Sequence, residues 1–217
     1  MKKVAVFLSG CGAQDGSEIR EAVCLLLSLS QLGVKYEYFS LDKEQSFVHN
    51  HYTNKISTGE TRNILVESAR IARGKVLDAS QFNCDNFDGI AFVGGYGAGV
   101  NLSDFAIKNN KDFTIDPKIT TAIKACKKAD KPMYFLCISP ILATKLIDNV
   151  KITLGKKSEI TELLKNHNVQ IVETSTNTHT FDENNKIITT PCYMLNITLA
   201  ELYEGIFNGA KKFVSIL

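Results

Sequence analysis

Short apolar runs that end abruptly in glycine or cysteine recur along this chain, and residues with helical spacing follow them. Such runs are typical of buried strands in a parallel sheet, because helices cover both faces of the sheet. Repeated strand-loop-helix units predict an α/β fold with a mostly parallel sheet, helices on both faces and right-handed crossovers. The predicted strands are Val4–Leu8, Val34–Leu41, Ile90–Val93, Met133–Leu136, Val169–Val172 and Ile187–Thr189. The predicted helices run from about Ser17 to Gly33, over Glu60–Ala72, Pro117–Lys128 and Ile160–Asn166, and from about Asn196 to Phe213.

Length and charge narrow the range of functions. The chain has 217 residues and 44% hydrophobic content, enough to bury one core, so we predict a single domain over residues 1–217 with a polar excursion at about 42–58. The net charge is only +2, which favours no nucleic-acid partner. The first apolar run, Val4–Leu8, is too short for an export signal, and no run is long enough to span a bilayer, so no membrane association is expected.

The cysteines indicate a reducing environment. They show no CxxC spacing, which in a chain of this length argues for free thiols and against a disulfide framework. We therefore expect a cytoplasmic location. The six are Cys11, Cys24, Cys84, Cys126, Cys137 and Cys192.

One cysteine follows a predicted strand directly. Cys137 comes after Met133–Leu136, and Pro140 soon after it suits the first turn of a helix. A thiol at such a strand-to-helix turn lies near helix N–H groups that favour the thiolate, the reactive form of cysteine. The sequence thus makes Cys137 a candidate nucleophile. A buried structural cysteine is the alternative, since free cysteine is among the most buried residue types.

Two other loops follow predicted strands at the same edge of the sheet. Gly94 and Gly95 allow close backbone approach and could direct N–H groups at a developing oxyanion, although a plain tight turn is equally consistent with them. Their spacing matches neither the dinucleotide fingerprint nor a Walker loop. Glu18 opens the first helix, either as a helix cap or as a carboxyl partner of the thiol.

The four histidines show no metal-ligand spacing, so no metal site is predicted. His179 could pair with Cys137 if the fold brought the two together, but a surface strand position is the simpler interpretation.

A set of motifs is spread over nearly the whole chain, namely Val6–Gly12, Asp15–Ile19, Thr61–Asn63, Glu67–Ile71, Arg73-Gly74, Gly94–Ala98, Asn101–Ala106, Cys137–Pro140, Asn185–Pro191 and Tyr193–Leu195. In their order and spacing, these motifs resemble the ElbB group of the ThiJ/PfpI superfamily. The resemblance implies a flavodoxin-like, class I glutamine amidotransferase-like fold, a nucleophile elbow at Cys137 and a hydrogen bond from Glu18 to its sulfur. It also implies oxyanion contacts from Gly94, Gly95 and the N–H of Ile138, together with a homodimer.

The same resemblance implies a function. ElbB-type proteins are associated with isoprenoid production and with a cofactor-free glyoxalase activity that converts glyoxal to glycolate. We therefore expect a glyoxalase III-like lyase or hydratase, with a deglycase as the alternative, that acts on small aldehydes without metal or organic cofactor. The sequence departs from the superfamily pattern at Ile138, where many members carry histidine, and at Cys192, where alanine is expected.

The sequence also bears on two alternative functions. A glutamine amidotransferase needs a late His-x-Glu pair, and His179-Thr180-Phe181 lacks the acid. A redox sensor or stress chaperone would instead oxidise Cys137 reversibly without efficient turnover.

Overall fold

The computed structural model describes residues 1–108, 112–165 and 167–217. Its strands are β1 (Lys3–Phe7), β2 (Lys35–Ser40), β3 (His49–Asn50), β4 (Lys55–Ile56), β5 (Leu77–Asp78), β6 (Gly89–Phe92), β7 (Met133–Leu136), β8 (Lys151–Ile152), β9 (Gln170–Ile171), β10 (Thr180–Asp182) and β11 (Ile187–Thr190). Its α-helices are α1 (Ile19–Gln31), α2 (Ile64–Ala72), α3 (Gly97–Val100), α4 (Phe105–Lys108), α5 (Pro117–Lys128), α6 (Ile141–Leu146), α7 (Glu159–Leu164) and α8 (Leu199–Ser215). Short 3₁₀ turns lie at Ala79–Gln81, Cys84–Asn86 and Cys192–Met194.

A seven-stranded sheet in the order β10-β11-β7-β6-β1-β2-β5 forms the centre of the molecule. Every neighbouring pair is parallel except β10 and β11, which form an antiparallel hairpin. Because parallel strands leave their loops at a common edge, the loops after β1, β6 and β7 meet at the carboxyl edge of the sheet. The predicted α/β class, with its mostly parallel sheet, is confirmed.

A row of phenylalanines crosses four adjacent strands just below that edge. Phe7 lies in register with Phe39 and Phe92, and Phe92 with Phe135. The ring centroids are 5.5 Å apart for Phe7 and Phe39, 4.7 Å for Phe7 and Phe92, and 5.0 Å for Phe92 and Phe135. Offset aromatic pairs add about 0.5–1.5 kcal/mol each beyond their buried area, so this row gives the edge a rigid base.

Helices cover both faces of the sheet. Helices α1, α2 and α8 pack together on one face, and right-handed crossovers place α5 and α6 on the other. Helix α8 approaches β7 and β11 closely at Gly209, where a Cβ atom would lie 2.3 Å from Tyr134 Oη and 2.5 Å from Thr190 Oγ1. Among the described helices, none is both long and apolar enough to cross a membrane.

The polar excursion folds back over the first loop of the sheet. It contains the antiparallel pair β3 and β4, and Asp15 Oδ2 accepts a hydrogen bond of 2.8 Å from the N–H of His49. The ring of His51 lies against the same loop, with its Nε2 3.2 Å from the N–H of Gln14. This segment is therefore part of the carboxyl edge.

Most predicted elements appear with shifted ends. The bounds predicted for α5 and β7 match the structure, whereas α2 begins at Ile64 and not at Glu60. The predicted helix Ile160–Asn166 corresponds to α7, and Asn166 lies outside the described residues. The last helix starts at Leu199, where Thr198 and Glu201 form a reciprocal capping box.

Candidate active site

Cys137 lies on a sharp turn between β7 and α6, as predicted. Its backbone is left-handed, with a φ of 58°, and its N–H donates to the carbonyl oxygen of Thr190 at 2.8 Å. The hydroxyl oxygen of Ser139 accepts from the N–H of Leu136 at 2.9 Å and faces the carbonyl oxygens of Leu136 and Phe92. A residue with a Cβ atom adopts this backbone only where its surroundings impose it, so these hydrogen bonds hold the turn in place.

The side chain that faces the Cys137 thiol is Glu21, on the first turn of α1. Glu21 is fully buried, and its Oε1 accepts from the N–H of Tyr193 at 3.4 Å. Its Oε2 lies against Gly94, where a Cβ atom would be 2.2 Å from Oε2 and 2.3 Å from the Cβ of Cys137. Gly94 is thus the residue that lets the carboxyl and the thiol approach each other. Oε2 has no hydrogen-bond partner of standard geometry among the described residues.

Burial governs the proton affinity of both groups. It raises the pKa of Glu21 to about 8, and the nearby Glu18 carboxyl adds to this effect, while the Cys137 contact and the N–H groups of Tyr193 and Gly94 oppose it. Burial and the Glu21 carboxyl likewise raise the pKa of the Cys137 thiol. Each group therefore shifts the pKa of the other, since the Cys137 contact opposes the rise at Glu21 and the Glu21 carboxyl adds to the rise at Cys137. At neutral pH the Glu21 carboxyl is largely protonated and can donate a hydrogen bond or a proton.

The predicted contact between Glu18 and the sulfur is wrong. Glu18 is the N-cap residue of α1, and its Oε2 accepts from the N–H of Glu21 at 2.6 Å. A cap side chain turns back on its own helix, whereas a residue one turn later can point into the core. Glu21 therefore occupies the position that the sequence assigned to Glu18. One signal could have identified it, since Glu21 is an acidic residue on the buried face of α1 that also carries Leu25 and Ser28.

Of the three predicted oxyanion donors, two face the Cys137 sulfur and one faces the Glu21 carboxyl. The N–H groups of Gly95 and Ile138 face the Cys137 sulfur closely enough to lower its pKa. The N–H of Gly94 instead faces the Glu21 carboxyl, so it is not directed at the sulfur as expected. Gly95 has a φ of 94°, and a Cβ atom there would lie 2.3 Å from the backbone nitrogen of Glu18. Only glycine allows this contact between the two loops.

Cys192 is a second thiol at the same site. It follows β11, has a φ of 49° and is only 1% exposed. Burial raises the pKa of this thiol, and the neighbouring Glu21 and Cys137 raise it further, while the N–H of Cys137 faces its sulfur. The residues around Cys137 therefore include a carboxyl group and another thiol.

The histidines lie elsewhere. His49 and His51 contact the loop of Asp15, and the ring of His167 lies 5.6 Å from that of Phe113. The pKa of His179 is lowered by burial and by Lys212 and Lys211, at the end of α8. The predicted alternative of a Cys137–His179 pair is therefore not formed. Among the described residues, no group of three or more His, Cys, Asp or Glu side chains is arranged to hold a metal ion.

Curated relatives extend over nearly the whole chain. A Homo sapiens "glutamine amidotransferase-like class 1 domain-containing protein 3, mitochondrial" is 36% identical over 228 residues, covering 99% of this chain and 83% of that protein. A Rattus norvegicus "ES1 protein homolog, mitochondrial" is 37% identical, covering 99% and 84%. A Danio rerio "ES1 protein, mitochondrial" is 30% identical, covering 97% and 83%. No family model matches the chain. The predicted cytoplasmic location is wrong by this comparison, because all three relatives are named mitochondrial.

Solved structures give the same grouping. An isoprenoid biosynthesis protein with an amidotransferase-like domain from Ehrlichia chaffeensis superposes with a TM-score of 0.91 at 37% identity, covering 99% of this chain and 100% of that chain. Drosophila melanogaster DJ-1beta superposes with a TM-score of 0.53 at 16% identity, covering 99% and 95%. The second match shows the fold alone.

Proposed function

Because this chain belongs to the ElbB-type group of the ThiJ/PfpI superfamily, whose members are amidotransferase-like proteins, we propose that it converts small 2-oxoaldehydes to hydroxy acids, with glyoxal to glycolate as the simplest case. Cys137 is the nucleophile and Glu21 carries protons. An association with isoprenoid biosynthesis is part of the proposal, since the Ehrlichia protein of that description shares 37% of its residues with this chain.

The observation that carries the proposal is the Glu21 carboxyl lying against the Cys137 thiol. A carboxyl with a pKa of about 8 holds its proton at neutral pH and can give it to an oxygen on which negative charge develops. The Cys137 residue is only 7% exposed, which favours a substrate of a few atoms. The N–H groups of Gly95 and Ile138, which face the Cys137 sulfur, are the donors proposed to stabilise that oxygen.

The first step is addition to the aldehyde. The Cys137 sulfur forms a C–S bond with one carbonyl carbon, the C=O π bond breaks, and the oxygen takes a proton from Glu21. Glu21 recovers a proton from the thiol. The product is a hemithioacetal, and no charge needs to remain in the buried site.

The second step is an internal redox rearrangement. In the fraction of complexes in which Glu21 is ionised, its carboxylate removes the carbon-bound proton of the hemithioacetal and delivers it to the neighbouring carbon through an enediol, while the hydroxyl proton moves to the neighbouring carbonyl oxygen. The first carbon is oxidised to the thioester level and its neighbour is reduced to an alcohol. Water then breaks the C–S bond and releases glycolate and the free thiol. Oxidation and reduction balance within the substrate, so no external electron carrier is required.

The test is the incubation of purified protein with glyoxal or methylglyoxal and the measurement of glycolate or lactate. We expect product well above that formed by Cys137→Ala. Equal product from the two proteins would refute the proposal. The reaction is started from free glyoxal, with no other protein and no other amine present. Product formed under these conditions comes from direct conversion and not from deglycation of a modified protein or amine.

A redox sensor is the second candidate, and one observation favours it. Cys137 has a second thiol, Cys192, beside it, which an aldehyde-converting site does not need. Selective oxidation of Cys137 by peroxide, without turnover of any aldehyde, would support the sensor over the glyoxalase. Glutamine hydrolysis is less well supported, because each histidine of the chain lies among other neighbours. The expected homodimer stays a prediction.

A further inference from the structure

We propose that Cys192 is the resolving thiol of Cys137, so that a small hydroperoxide oxidises the pair to a Cys137–Cys192 disulfide. This inference shares the nucleophile Cys137 with the proposed glyoxalase but assigns a new role to Cys192 and a new substrate class, the hydroperoxides.

Strand register brings the two cysteines together. Strands β7 and β11 are parallel neighbours, and Leu136 lies opposite Thr190 in their ladder. Cys137 is the next residue after Leu136, and its N–H is bound to the carbonyl oxygen of Thr190 at 2.8 Å. Neighbouring strands lie about 4.8 Å apart, and a disulfide needs Cα atoms roughly 4.4–6.8 Å apart. Continued by one residue, this register sets Cys137 opposite Pro191, so Cys192 lies one position further along the neighbouring chain.

The chain turns sharply at Cys192 and so keeps it at the end of β11. Pro191 precedes the 3₁₀ turn Cys192–Met194, in which the N–H of Met194 donates to the carbonyl oxygen of Pro191 at 3.0 Å. Both cysteines have positive φ, 58° for Cys137 and 49° for Cys192. The N–H of Cys137 faces the Cys192 sulfur, which places that sulfur beside the elbow.

The exposure of the two thiols indicates which of them reacts first with the hydroperoxide. Cys137 is 7% exposed and Cys192 only 1%, so a reagent from solvent meets Cys137 first. Glu21 is the third member of the cluster, and its buried Oε2 has no hydrogen-bond partner of standard geometry among the described residues. Its proton is available for the oxygen that leaves when the peroxide is cleaved.

The chemistry proceeds in two balanced steps. The Cys137 sulfur attacks one peroxide oxygen, an S–O bond forms, the O–O bond breaks, and the other oxygen leaves as water or an alcohol after taking a proton. Cys137 is then a sulfenic acid, and the peroxide is reduced by two electrons. The Cys192 sulfur attacks the sulfenic sulfur, an S–S bond forms, and the S–O bond breaks to release water. A low-molecular-weight thiol is the class of reductant that would return the pair to the dithiol.

The chain contains other thiols that serve as controls. Cys84 and Cys126 have their sulfurs 3.4 Å apart elsewhere in the core, and peroxide could join them independently. Cys24 lies one turn after Glu21 on α1 and is buried near the same carboxyl. Cleavage by trypsin after lysine places the two cysteines in separate peptides. Residues 129–145 contain Cys137 as their single cysteine, and residues 187–211 contain Cys192 as theirs.

The experiment treats the reduced full-length protein with about one equivalent of hydrogen peroxide, blocks the remaining thiols and maps tryptic peptides by mass spectrometry. We expect the peptide 129–145 joined to 187–211 in the wild type and in Cys24→Ser. In Cys192→Ser and Cys192→Ala we expect this link to disappear and Cys137 sulfinic acid to rise by roughly tenfold, because nothing intercepts the sulfenic acid.

Cys137 sulfinic acid with unlinked Cys192 in the wild type would overturn the proposal, as would a link from Cys137 to Cys24. The disulfide-linked peptide is detected in the wild-type protein itself, so a Cys192 variant that fails to fold does not obscure the result.

The disulfide-linked peptide is identified by its mass and not by aldehyde turnover. Absence of glycolate formation with the link present would therefore refute the glyoxalase alone, and the reverse pattern would refute this inference alone.

Discussion

The Glu21 carboxyl lies against the Cys137 thiol, although the two residues are 116 positions apart in the chain. Helix α1 brings Glu21 to the carboxyl edge of the sheet, where the turn after β7 presents Cys137. Gly94, at the end of β6, leaves the space through which they meet. Three separate elements thus build one proton-sharing pair in a buried site.

Replacing Glu21 by glutamine should lower glyoxal turnover strongly. The amide keeps the size of the side chain but cannot exchange a proton, and loss of a general acid-base group costs about 10²–10⁴-fold in rate. Glu18→Gln is the matched control, because Glu18 caps α1 and does not face the sulfur. We expect that variant to keep most of the activity. Initial rates of glycolate formation measure both, and a larger loss for Glu18→Gln than for Glu21→Gln would contradict the assignment.

Glu21→Gln should also change how stability depends on pH. The folded protein holds the Glu21 proton up to about pH 8, whereas an unfolded chain releases it near the ordinary value of 4.5. Between these two values the unfolded state binds fewer protons, so the free energy of unfolding of the wild type falls as pH rises. A difference of one pKa unit corresponds to about 1.4 kcal/mol.

Glu21→Gln has no carboxyl at this position and therefore lacks this pH-dependent contribution to the free energy of unfolding. Its stability relative to the wild type should therefore increase from about pH 5 to about pH 8 and then level off. Urea unfolding at several pH values measures the difference. A constant difference across this range would show that Glu21 is not a carboxyl held neutral by the fold.

Gly94→Ala should disturb both the site and the fold. The new Cβ atom would lie 2.2 Å from Glu21 Oε2 and 2.3 Å from the Cβ of Cys137, and overpacking of a core costs typically about 1–3 kcal/mol. Gly99→Ala is a suitable control, since its Cβ atom would be 3.3 Å from the Cβ of Ala106 and alanine favours the helix. Thermal unfolding and glycolate formation measure the two variants. Equal behaviour of the two would contradict the close approach at Gly94.

The main sheet could be predicted from the sequence because its central strands are buried on both faces. Such strands appear as continuous apolar runs, and β7 illustrates this. The two-residue strands β3, β4, β8 and β9 could not be predicted in this way, because a pattern of period two needs more residues. The anchoring of His49 by Asp15 spans 34 positions and depends on the folded edge.

The elbow at Cys137 was predictable because strand, cysteine and proline are neighbours in the sequence. Its carboxyl partner was not assigned correctly, because an acidic residue at the start of a helix caps that helix more often than it enters a core. The place of Cys192 beside Cys137 depends on the pairing of β7 with β11, which is a relation between distant segments. Strand order of this kind cannot be obtained from local pattern.

The measurement that tests the Cys137–Glu21 pair most directly is the rate of Cys137 alkylation as a function of pH, read by mass spectrometry of residues 129–145. In the wild type we predict a rate that rises near pH 8, where the Glu21 carboxylate forms and can take the thiol proton as the sulfur reacts. Glu18→Gln should show the same rise at a somewhat lower pH, because the Glu18 carboxyl no longer raises the pKa of Glu21. In Glu21→Gln, that first rise should be absent, leaving a single titration of a buried thiol at higher pH. The same profile in all three proteins would contradict the account.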